Sequence, residues 1–231
     1  MRHTLRRVLS FAVLSSVVLS GAACGGTADS AAESPAKPLT AEELAAALPE
    51  GDDFPGFTAK PQDTPLLEDR DVVTADVSAC QPIADMMSAR PEHARRALVW
   101  ATLKVHGAPA DAPPGSVSLA GHTVGDARAT MDDLREALSG CDGFTASSRR
   151  GWTYRFTVER LSPVQAGDES VAYLLTNTLA PEGKGNVMTV VRTGGVLATY
   201  LVVQDPDRPR PVPASIAATQ HERLRDAGAG G

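Results

Sequence analysis

The sequence predicts an α+β fold: a largely antiparallel β-sheet with flanking helices, in a single domain stapled by one disulfide. Three observations predict it. Strand-like runs come in pairs joined by turn signals, most clearly 186–192 and 196–204 around Thr193-Gly194-Gly195. Amphipathic helical runs are set between them at intervals, without the regular strand–helix alternation of a doubly wound parallel sheet. Two cysteines, Cys80 and Cys141, lie within the same region.

Thr40 can cap a helix whose third residue, Glu43, stands at the reciprocal capping-box position; Leu44, Ala47 and Leu48 give it an apolar face, and Pro49 and Gly51 end it. Phe54-Pro55-Gly56-Phe57 reads as a turn with inward-packing aromatics. A second helix is expected over 80–89, with Ile83, Met86 and Met87 on its apolar side and Pro91 limiting it. Alternation over 95–105 makes a strand, the Pro/Ala/Gly stretch 107–115 a loop, and 117–124 a shorter strand. A helix follows from Asp126 to Ser139, with Ala127, Met131, Leu134 and Leu138 on one face and Gly140 as its stop. Strands are expected over 152–161 and 170–179, separated by a turn at Gly167-Asp168-Glu169, before the glycine hairpin. Residues 205–213, rich in Pro and Arg, read as a loop. A last helix over 214–227 has only a thin apolar stripe, which predicts a place on the sheet edge.

The first 23 residues are of another kind. Arg2, Arg6 and Arg7 precede an apolar run from Val8 to Leu19, then Gly21-Ala22-Ala23 and Cys24. That order is an export signal, and its apolar run is short for a transmembrane span. Leu19-Ser20-Gly21-Ala22-Ala23-Cys24 resembles the bacterial lipoprotein cleavage signal, although the position three before the cysteine, usually Leu, is Gly21. The expectation is cleavage before Cys24 and acylation of its thiol and amine. Each buried methylene contributes about 0.8 kcal/mol, so two or three chains anchor stably where one does not. The alternative is an ordinary cleavage site that happens to precede a cysteine.

The expected organisation is a signal peptide over 1–23, a small polar tether over 24–39, a folded domain over 40–227 and a disordered tail over 228–231. With Cys24 acylated, Cys80 and Cys141 remain. Outside the cytosol two such thiols most often pair, and closing a loop of roughly 60 residues contributes about 4 kcal/mol. Two separate buried thiols are the other possibility. A metal role lacks any C-x-x-C or H-x-x-H spacing.

Composition narrows the function classes. The chain is 231 residues long with a net charge of −6, and removing the three signal arginines makes it three units more negative. No basic patch interrupts that acidity, which excludes nucleic acid as a partner and wide contact with anionic headgroups. The abundance of Ala and Arg and the scarcity of Lys, found only at 37, 60, 104 and 184, fit a GC-rich genome.

Several segments then resemble a known group: Leu48-Pro49 closing a short helix, Ser78-Ala79-Cys80, Leu138-Ser139-Gly140-Cys141-Asp142-Gly143-Phe144, Ala166 to Tyr173, and the Val190 to Leu197 hairpin. With the lipoprotein signal before them, they resemble the actinobacterial sensor-like lipoproteins, akin to the extracellular sensor domain of PknH-type Ser/Thr kinases. The resemblance implies an antiparallel sheet with flanking helices and a cleft for an unidentified ligand. It transfers no catalytic residue.

The remaining candidates for chemistry read as structural. Asp168 and Glu169 are neighbours in a turn, whereas a glycosidase pair faces across a cleft. His93, His106, His122 and His221 are scattered, with no zinc spacing. Ser34-Pro35-Ala36-Lys37 matches S-x-x-K by chance in a proline-broken tether, and neither G-x-S-x-G nor G-K-[ST] occurs. Trp100, Trp152 and Tyr154 belong to the core or its rim, and Arg149-Arg150 to a solvated turn. The expected function is therefore a non-enzymatic, lipid-anchored domain on the outer face of the cell membrane that binds a ligand or envelope protein and needs no cofactor or metal. The alternatives are a carrier for a lipid or other apolar molecule, and a cell-envelope hydrolase assembled from distant residues.

Overall fold

The computed structural model describes residues 37–179 and 185–229. The expectations placed on residues 1–36, Cys24 among them, and on Gly230 and Gly231 lie outside the described residues. Among the described residues nine strands form one sheet in which every neighbouring pair is antiparallel. They are β1 (Phe57–Pro61), β2 (Val73–Ala75), β3 (Ala97–Val105), β4 (Gly115–Gly121), β5 (Gly143–Ser148), β6 (Thr153–Leu161), β7 (Glu169–Asn177), β8 (Gly185–Thr193) and β9 (Val196–Gln204). The order across the sheet is β1-β3-β4-β9-β8-β7-β6-β5-β2. The four helices are α1 (Ala41–Ala46), α2 (Gln81–Asp85), α3 (Val124–Gly140) and α4 (Ala214–Asp226), with a 3₁₀ turn at Ser78–Cys80.

Helices cover both faces of the sheet. Leu44 of α1 and Ile216, Ala217 and Leu224 of α4 pack on one face with Val117, Leu119 and Tyr200. Ile83 of α2 and Met131 and Leu134 of α3 pack on the other with Tyr173, Val190 and Leu197. Central strands covered on both faces need apolar residues at successive positions, and β8 and β9 are accordingly buried almost throughout. The interior between sheet and helices is close-packed: Tyr173, Tyr200, Phe54 and Met131 are fully enclosed.

Cys80 and Cys141 form a disulfide that ties the start of α2 to the end of α3. The capping box of α1 is present: the Thr40 side chain accepts from the Glu43 amide, and the Glu43 carboxylate accepts from the Thr40 amide at 2.7 Å. The glycine hairpin is present too, with Thr193 paired to Val196 across Gly194-Gly195. Gly194 takes φ 54°, and a Cβ on Gly195 would stand 2.7 Å from the His122 carbonyl, so both turn positions need glycine.

Four expectations need correction. Helix α4 packs against β8, the middle strand of nine, rather than on the sheet edge. Its narrow stripe suffices because Gln220, wholly buried, donates Nε2–H to the Ala47 carbonyl at 2.9 Å and so joins α4 to α1. The helix expected over 80–89 is a 3₁₀ turn followed by five α-helical residues, ending before Met86. Helix α3 starts two residues earlier than expected because Thr123, not Asp126, is its cap. The segments 24–39 and 228–231 also lose residues to the fold. Leu39 is buried in the α1/α4 core, and so is Ala229. Gly228 at φ 96° and Ala229 return their amides to the Arg225 and Leu224 carbonyls, a Schellman stop for α4.

Candidate functional site

A groove of about 990 Å³ lies at one end of the sheet. It lies where β1 begins, β3 and β9 end, and the proline-bearing loops 106–114 and 205–213 come together. Phe57, Val202 and Val212 are buried and apolar and line it, while Lys104, Asp111, Asp205 and Arg210 are exposed around it. The loop after β9 is pinned: Gln204 donates Nε2–H to the Arg210 carbonyl at 2.7 Å and its Oε1 accepts from the Arg210 amide at 3.0 Å. Farther along, the Val212 amide donates to the Thr189 hydroxyl at 3.2 Å. The groove wall is thus preformed, apolar at depth and mixed in charge at the mouth, the composition of a small-molecule site.

A second, small cavity of about 30 Å³ lies inside the α2/α3 face, lined by His93, Arg95, Ser118, His122 and Thr199 among others. His122 is 2% exposed, and neither ring nitrogen makes a hydrogen bond of sound geometry. Burial first, and then the Arg95 charge, push its pKa down to about 4, so the ring is neutral at physiological pH; the Ala94 backbone favours the charged form only slightly. Arg95 donates to the Ser88 and Asp85 carbonyls at 2.6 and 2.8 Å, and burial lowers its pKa as well. A volume this size holds water rather than an organic ligand.

The Asp168-Glu169 turn is not merely solvated, as the sequence suggested. Arg192, whose side chain is 9% exposed, pairs with Asp168 at 2.8 Å and with Glu169, which also pairs with Arg135. Burial raises the Glu169 pKa, but the bonds from Arg192 and Arg135 outweigh it and hold the carboxyl below its ordinary value. Arg150 is likewise engaged: it pairs with Asp71 and with Glu68 at 3.3 Å, and its guanidinium lies 5.9 Å from the Trp152 ring centroid. Trp152 itself is 57% exposed, a rim residue, while the Trp100 indole donates to the Thr64 carbonyl.

The structure keeps the histidines apart. His93 bonds Asp133 at 2.7 Å, His106 lies 3.0 Å from the Thr58 hydroxyl, and His221 Nδ1 lies 2.8 Å from the Thr193 hydroxyl. Among the described residues no group of three His, Cys, Asp or Glu side chains is placed to hold a metal. The two hydroxyl–imidazole contacts do not make a nucleophile site. Thr193 is 1% exposed and closed to substrate, and Thr58 stands exposed on an edge strand. Among the described residues no helix is long and apolar enough to cross a membrane. Sequence reasoning missed the groove because its lining comes from three strand ends and two loops. The local signal available, proline density in 109–114 and 206–213, marks loops and not their meeting.

A nine-stranded antiparallel sheet, helix-covered on both faces and stapled once among the described residues, defines an α+β fold. Comparison with solved structures gives that class a concrete likeness. The chain superposes on the extracellular domain of PknH from Mycobacterium tuberculosis with a TM-score of 0.58 and 16% identity, covering 82% of this chain and 98% of that one. At this identity the likeness is one of fold. No family model and no curated protein sequence matches the chain.

Proposed function

We propose that this protein is a lipid-anchored, extracytoplasmic binding domain of the sensor-like type, non-enzymatic, with the apolar groove at the start of β1 and the ends of β3 and β9 as its ligand site. The observation that carries the reading is that groove: about 990 Å³ with a buried apolar lining and one wall, the loop after β9, pinned by Gln204 and Thr189. The fold likeness to a kinase's extracellular sensor domain supports the class. The signal-like residues before Cys24 support the anchor, the tether and the place outside the cytosol.

A second reading, a carrier for a lipid or other apolar molecule, draws on the same groove. The space is at the sheet's end, and the interior between sheet and helices is packed, so a carried molecule would lie in the groove and not beneath a helix. Native mass spectrometry of the protein purified from its own membranes separates the two readings. A co-purifying acyl lipid that is lost in Val202→Trp, which fills the groove, favours the carrier. A lipid bound only through Cys24, absent in Cys24→Ser, leaves the binding domain. A Cys24→Ser chain retained at the envelope as before overturns the anchor.

A further inference from the structure

At the opposite end of the sheet from the groove, four segments meet around a pocket of about 240 Å³. The Gly194-Gly195 hairpin turn, the start of α3, the outer turn of α4 and Asp168 before β7 bring Arg128, Arg192, His221 and Arg225 to its wall. The charges there are not equivalent. Arg192 is buried and its charge is met by Asp168 and Glu169; it also donates to the Gly194 carbonyl at 2.9 Å. Asp168 in turn accepts from the Gly194 amide at 2.8 Å, so this carboxylate is held and neutralised within the wall. Arg128 and Arg225 are exposed, come from two different helices, and ion-pair with no carboxylate among the described residues.

We propose that this pocket binds a phosphate-class oxyanion, as free phosphate or as the phosphoryl group of a small monoester. Two guanidinium forks reaching one pocket from separate helices suit a tetrahedral dianion, whose several oxygens can serve both forks at once. Helix α3 begins at Val124 on the same wall, and its positive end adds to that field. His221 also lines the pocket, and the contact of its Nδ1 with the Thr193 hydroxyl fixes the ring there. The chain as a whole carries −6, so a pocket with two uncompensated arginines is a departure from its surface and not a sample of it. The volume exceeds a phosphate ion and admits a short carbon skeleton, but not a folded partner.

The test is isothermal titration of the purified protein, at constant ionic strength, with inorganic phosphate and separately with glycerol 3-phosphate. Saturable binding of either ligand is expected, and the tighter of the two shows whether the carbon skeleton is held. Arg128→Ala and Arg225→Ala should each weaken it about tenfold, the effect of losing one charge-assisted fork. Arg149→Ala, in the exposed turn between β5 and β6 and away from both the pocket and the groove, should leave it unchanged. Both pocket arginines are exposed, so the variants should melt as the parent does. Absence of saturable binding to both ligands overturns the proposal. So does equal affinity in the Arg128/Arg225 double alanine variant, or an equal loss in Arg149→Ala, which would mark a general charge effect.

Discussion

The two faces of the sheet are covered by helices that are held in different ways. On one face α2 has five residues, far below the length at which a helix sustains itself in water, and it is fixed by the Cys80–Cys141 crosslink to α3. On the other, α1 and α4 are held without a covalent bond, by a capping box, the Gln220–Ala47 hydrogen bond and the Arg223–Asp53 ion pair at 2.9 Å. The stapled face also encloses the polar cavity of His122, whose ring nitrogens lack a partner, whereas the buried polar side chains of the unstapled face, Thr189, Thr193 and Gln220, each make a hydrogen bond. The crosslink thus stands at the short helix that has no side-chain cap, beside the buried imidazole without a partner, while the similarly short α1 is held by its capping box.

Three experiments break or sharpen that contrast. The largest effect is expected from replacing both Cys80 and Cys141 by alanine. Loss of the crosslink should cost about 4 kcal/mol, seen as a lowered urea midpoint. Amide exchange should accelerate in α2 and the α2–β3 loop well before α4. Equal acceleration in both helical layers would mean that the faces are not separately held.

The next effect concerns pH. His122 has a folded pKa of about 4, below its ordinary value near 6.5. The unfolded chain therefore takes up a proton as pH falls through 6.5, while the folded chain resists until about 4. Stability from this residue is complete above pH 6.5 and is lost progressively down to pH 4, in total about 3 kcal/mol. Asp126 opposes the shift and Arg95 and His93 reinforce it. Urea unfolding at pH 7 and pH 4.5 should show the decline in the parent and a markedly flatter response in His122→Gln. An identical decline in both proteins would remove His122 as its source.

The smallest effect is on the other face. Thr40→Ala removes the α1 cap and should cost about 1 kcal/mol. Exchange should quicken at the Glu43 and Leu44 amides while α3 is untouched.

Much of the fold was legible because its signals are local. Thr40 and Glu43 announce α1 three residues apart, Gly194-Gly195 announces the hairpin, and the Ala127, Met131, Leu134, Leu138 series announces α3. The three strands that escaped notice are short or weakly patterned. β1 ends in Pro61, tolerated because it is an edge strand; β2 has three residues; β5 is Gly143-Phe144-Thr145-Ala146-Ser147-Ser148, with two apolar side chains inward. What makes them strands is the partner beside each one: β3 for β1, and β5 and β6 in succession beyond β2.

The candidate sites were legible only in part, and the reason is the same. Sequence by itself determined the residue types and their spacing: two cysteines beyond the signal-like start, a glycine turn, helical stripes, and an acidic chain with isolated arginines. Tertiary structure alone decided which of them meet. Arg128 and Arg225 stand 97 positions apart and line one pocket, and Phe57 and Val202 are farther apart still and share one groove. Periodicity is a property of a few turns of backbone, whereas a site is a property of strand order, and the order β3-β4-β9-β8 is set by burial on two faces at once.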